Sequence, residues 1–112
     1  VRRVRDLELL RRLHVHWDEC VICGATRATR KLTLHHLLNK PRDDVEANLV
    51  MLCGDGTTGC HGKLTAEHEV TRRLLGAYLT RNRPDTMAYL AERLGGPEKR
   101  AEWLQRRLYA SL

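Results

Sequence analysis

Four cysteines in two local pairs constrain this chain more than any other feature. Cys20 and Cys23 form a Cys-x-x-Cys with Gly24 directly after, and Cys53 and Cys60 form a wider pair, separated by six residues of which three are glycines. A tetrahedral metal site needs four soft ligands converging from two turns, and these pairs supply that number. A zinc ion held by Cys20, Cys23, Cys53 and Cys60 would tie the N-terminal segment to the later part of the chain. The need for such a tie follows from composition. Among 112 residues there is no Phe, only two Trp and three Tyr, and 30% of the chain is charged, which leaves a thin core of Leu, Val and Ala. No run of 18 apolar residues suggests a membrane span, and Val1 to Arg5 lack the apolar stretch of a secretion signal. The expected setting is therefore the reducing cytoplasm, where thiolate ligands are favoured over disulfides. Disulfide-forming or unrelated cysteines are the competing reading, and a four-cysteine zinc cluster on its own is structural.

The length supports one domain, 1–112. Leucines at 7, 9, 10 and 13 predict a short amphipathic helix within 5–13. Residues 32–37 (Leu, Thr, Leu, His, His, Leu) read as a strand, Pro41, Asp43 and Asp44 break it into a loop, and 48–53 (Asn, Leu, Val, Met, Leu, Cys) read as a second strand. The glycine-rich 54–59 predicts a flexible turn or a nest of backbone N–H groups. Leu64, Val70, Leu74, Leu75, Tyr78 and Leu79 recur at near-helical spacing, with Thr65 a possible interruption. A further helix follows Pro84 and stops at Gly95 and Gly96. Pro97 opens the last, with Ala101, Leu104 and Leu108 as its apolar face and Trp103 beside it.

Adjacent histidines on a strand point to opposite faces of the pleat, so His35 and His36 can do different work: one binds a cation while the other, titrating near neutrality, takes a proton. Asn48 follows twelve residues later, and His61 lies directly after the last cysteine, so a metal that anchors Cys60 also restrains His61. His14 and His16, beside Trp17, are expected to be packing or solvent residues.

The segments His35-His36-Leu37, Asn48 to Cys53 and Cys60-His61-Gly62-Lys63 resemble the HNH (His-Me finger) endonuclease family, and the Cys-x-x-Cys at 20 and 23 matches its zinc-bearing subset. The resemblance covers about residues 18–68, and Gly56 to Gly62 are similar to small phage-encoded members. It implies an α+β fold: a ββα-metal core, about 18–80, with a four-cysteine zinc site, a flanking N-terminal helix and a C-terminal helical extension at about 84–110. By resemblance His35 and His61 would bind a catalytic cation, Mg²⁺, Mn²⁺ or another divalent ion. His36 would be the general base, and Asn48 would brace the loop between the strands and orient His36. The implied reaction is hydrolysis of DNA phosphodiester bonds, nicking or cutting both strands, to leave 5′-phosphate and 3′-hydroxyl ends. Some members carry a third metal-binding histidine where Thr65 stands, so a two-ligand site completed by water and phosphate is expected. His68 is expected to face solvent or nucleic acid.

A formal charge of +6 suits backbone contacts to DNA, with Arg27, Arg30, Lys31, Lys40 and Arg42 near the proposed site and Arg72, Arg73, Arg81, Arg83, Arg100, Arg106 and Arg107 on the later helices. The final helices are open to three roles: gripping DNA, closing as a lid or forming a dimer contact. Two rival functions keep the same residues: a junction-resolving nuclease, and a non-catalytic zinc-knuckle module that binds nucleic acid or serves as an adaptor.

Overall fold

Asp6 starts the first helix. Its side chain accepts the Leu9 N–H at 3.0 Å and so satisfies one donor of the open first turn. In the computed structural model, which describes residues 3–108, this helix, α1, runs Leu7–His16. Leu13 is buried and Leu9 and Leu10 are half-buried, but Leu7 is 62% exposed. Six residues at roughly 100° each put Leu7 about 120° around the axis from Leu13, off the face that meets the core. His14 and His16 are exposed in the last turn.

The next segment turns tightly. Gly24 N–H donates to the Cys20 carbonyl and Cys20 N–H to that of Ala25, which folds the Cys-x-x-Cys into a knuckle, and Val21 N–H donates to Met51 O at 3.0 Å. Strands β1 (Leu32–His36) and β2 (Leu49–Cys53) then pair antiparallel, with Leu32 opposite Cys53 and His36 opposite Leu49. All of β2 is buried. Asn48 belongs to a 3-10 turn, Glu46–Asn48, and its N–H closes on Val45, so β2 begins one residue later than the apolar run suggests.

Three helices were expected after Cys60, and the chain forms four: α2 (Gly59–Thr65), α3 (Glu69–Asn82), α4 (Pro84–Leu94) and α5 (Pro97–Arg107). The interruption expected at Thr65 falls there. Glu67 adopts φ 59°, and the exposed His68 then caps α3 by accepting the Thr71 N–H. Leu75 and Leu79 of α3 and Leu90 of α4 pack with Val50, Met51 and Leu52 of β2, all fully buried. Val70 and Leu74, expected on that face, are 57% and 49% exposed. In α5 Trp103 and Leu104 are buried, as is Leu108 at its C-cap, and Ala101 is exposed. The helix turns its largest apolar surface inward, since burying an indole stabilises far more than burying a methyl group.

Arg83, at the α3–α4 junction, pins these helices to the sheet. Its guanidinium donates to the carbonyls of Leu49 (3.1 Å) and Glu46 (2.9 Å) and stacks over Trp17 at 5.2 Å. The result is an α+β fold with a two-stranded sheet and, among the described residues, five α-helices. None of these helices is long and apolar enough to cross a membrane.

Candidate functional site

The knuckle and the β2–α2 turn bring the four thiols together. The Sγ atoms of Cys20, Cys23, Cys53 and Cys60 all lie within 4.8 Å of one another, and Cys23 and Cys53 are 3.6 Å apart. Four ligands about 2.3 Å from a tetrahedral zinc would sit roughly 3.8 Å from each other, so the donor set fits such an ion. No disulfide joins them. Burial, then its thiol neighbours, push the Cys60 thiol far up, a conflict that a bound cation removes. The Cys60 N–H donates to Cys53 Sγ at 3.3 Å, so the turn wraps around that sulfur.

The wide second pair closes because its loop is locked, not flexible. One carboxylate oxygen of Asp55 accepts from the backbone and hydroxyl of both Thr57 and Thr58, at 2.9 to 3.1 Å, and these bonds hold the Asp55 carboxyl at about 2. Gly54 and Gly59 have positive φ, and their backbones touch: a Cβ on Gly59 would stand 2.5 Å from the Cys53 carbonyl oxygen.

Holding Cys60 also places His61. Its ring centroid is 5.1 Å from that of His35, with the rings 77° apart. Thr33 fixes the proton on His61: the hydroxyl hydrogen goes to Gly54 O (2.7 Å), so toward His61 Nδ1, also 2.7 Å away, the hydroxyl can only accept. The Nδ1 therefore carries the hydrogen, and Nε2 keeps the lone pair that a cation requires. Burial, followed by the charges of His61, His36 and Arg42, lowers His35 to about 4, and burial also lowers His61. Both rings are neutral donors at physiological pH. Among the described residues only the four cysteines gather three or more such ligands, so the histidines offer two.

His36 points elsewhere. It is buried, its Nε2 lies 2.8 Å from Asp44 Oδ1, and its Nδ1 accepts from Arg42 Nε at 3.2 Å. A guanidinium only donates, so Nδ1 holds the lone pair and the Nε2 hydrogen faces Asp44. Burial lowers the pKa of His36, the Arg42 charge adds to that, and the Asp44 bond opposes without overcoming it. The ring is thus held below the neutral titration expected of it. The side-chain hydrogen bonds of Asn48 go elsewhere, to Leu38 N and O and Asp43 O, bracing the loop from inside. The bracing is as expected; the orienting contact belongs to Asp44.

Asp43 and Asp44 escaped the sequence reading, which took them only as loop residues. Asp44 accepts the Asp6 N–H at 3.0 Å; Asp43 accepts from Val4 N–H (2.8 Å), the Tyr89 hydroxyl (2.7 Å) and Arg93 (2.6 Å). The segment before α1 and a face of α4 therefore clamp the loop that orients His36. Two adjacent acids are a weak signal, and their partners lie 38 to 50 residues away. Only folding reveals them.

Both histidines of β1 line a cleft of about 640 Å³, together with Lys40, Arg72, Trp103 and Arg107. Comparison of the chain with protein-family models, curated proteins and solved structures gave no match. Fold and site define an α+β protein with a four-cysteine cluster able to hold a metal such as zinc.

Proposed function

We propose that this protein is a divalent-cation-dependent hydrolase of nucleic-acid phosphodiester bonds. More narrowly, it is an endonuclease of the HNH type acting on DNA, with β1, β2 and α2 as its ββα-metal core and the cysteine cluster as its zinc brace. The observation that carries the reading is the pairing of His35 and His61, two neutral imidazoles at 5.1 Å, beside a buried His36 whose tautomer is fixed by Asp44. His35 and His61 would hold the cation, which when bound supplies Lewis acidity to the phosphate and offsets charge on the leaving oxygen. Thr33 aims the His61 lone pair through its own bond to Gly54. His36 takes the proton of the attacking water on Nδ1, and the Asp44 carboxylate stabilises the resulting imidazolium through Nε2. Arg42 occupies Nδ1 at 3.2 Å, so its guanidinium swings away first; an incoming phosphate is a stronger acceptor and supplies the reason to move.

That same Arg42 contact favours a second reading, a zinc-knuckle module that binds nucleic acid without cutting it, in which His36 is only structural. Supercoiled plasmid with Mg²⁺ or Mn²⁺ separates the two. The wild type is expected to nick it, and a folded His36→Ala to do so at least about 100-fold more slowly. Equal cutting by both, or cutting by neither, overturns the nuclease. A four-way junction beside linear duplex distinguishes junction-directed from general cleavage.

A further inference from the structure

The cleft lined by the histidines contains an unused donor. Thr65 of α2, Glu67 in the α2–α3 break and Arg72 of α3 line the same cleft as His35 and His36. The Arg72 Nε is buried and has no hydrogen-bond partner among the described residues. An N–H left unpaired inside a protein is costly, so this one invites an acceptor from outside. Lys40 and Arg107 line the cleft as well, and Glu67 is its one carboxylate among the described residues, so the lining favours an anion. A guanidinium offers Nε and one terminal nitrogen as a fork that matches two oxygens of a phosphate.

We infer that Arg72, with Lys40 and Arg107 beside it, forms a subsite for a phosphate flanking the scissile one on the same strand. The inference rests on the nuclease reading and extends it: the substrate is a polynucleotide gripped beyond the bond that is cut. Arg72 acts on binding and not on the bond being broken.

The test uses fluorescence anisotropy of a labelled single-stranded oligonucleotide, in a His36→Ala background that leaves it intact. Adding Arg72→Gln is expected to weaken binding about tenfold and to flatten the dependence of log Kd on log salt by about 0.7, one phosphate's share for a single strand. Arg72→Lys keeps the slope, since it keeps the charge, yet binds more weakly because the fork is lost. Replacing one flanking phosphate by a neutral methylphosphonate weakens the parent and leaves Arg72→Gln unchanged. An unchanged slope in folded Arg72→Gln, or equal methylphosphonate losses in both chains, overturns the subsite. If Arg72→Gln fails to fold, Arg107→Gln is held to the same slope criterion. Cleavage by the wild type is scored separately: binding without cutting removes the nuclease and leaves the subsite, cutting with an unchanged slope removes the subsite alone, and no binding removes the subsite while the nuclease is decided by cleavage.

Discussion

Asp43 is fully buried, yet its carboxyl stays ionised below its ordinary value. Burial alone would raise it; the Val4 N–H, the Tyr89 hydroxyl and the Arg93 guanidinium outweigh that penalty. A carboxyl depressed by folding stabilises the protein above its unfolded pKa, about 4, and loses that contribution as pH falls through the lower folded value. Asp43→Asn is therefore expected to lower the urea midpoint at pH 7. The gap from wild type should narrow as pH falls from about 4 toward the folded pKa. Urea titrations of both chains at matched pH check this, since any metal lost to acid is lost by both. A gap constant with pH would show that the clamp does not depend on charge. Asp44 is lowered in the same sense: burial opposes, and the Asp6 N–H and His36 prevail.

The β2–α2 turn decides whether the cysteine pairs meet. Gly59 has φ 62° and stands against the Cys53 carbonyl, whereas a Cβ on Gly56 meets nothing within 4 Å. Gly59→Ala is expected to cost at least about 1–2 kcal/mol from the left-handed conformation alone, and more from the contact. Its zinc affinity should fall with its stability. Gly56→Ala should stay within about 0.5 kcal/mol of wild type. Thermal melts with a chromophoric zinc chelator distinguish the two; equal behaviour would mean that the turn relaxes freely. Sequence patterning reached the element level well for β1, β2, α4 and α5, where apolar runs are bounded by Pro and Gly. It missed that Asp55 locks the turn, because glycine content signals freedom while the bonds that remove it depend on where one side chain points.

Across the whole molecule, the thiolate cluster joins the knuckle after α1 to the start of α2, while α3, α4 and α5 cover the sheet. With so few aromatics, this join is expected to supply much of the stability. In the zinc-loaded protein, chelation should lower the thermal midpoint by roughly 10 °C or more, as for other domains whose metal binding is coupled to folding. Circular dichroism before and after chelation, with zinc added back, checks it. An unmoved midpoint would make the cluster dispensable to the fold.

The sequence by itself determined the inventory of candidate site residues: four cysteines in two pairs, and His35, His36, Asn48 and His61 at fixed positions relative to them. These were legible because local spacing and strand alternation place neighbouring side chains without reference to distant chain. Tertiary structure alone decided which groups those side chains face. That His36 answers to Asp44 and Arg42, that Asp43 is clamped from α4, and that Arg72 shares a cleft with His35 are consequences of packing. Such contacts bring together residues that are far apart along the chain, and their buried charges are tolerable only because folding supplies partners that no local pattern announces.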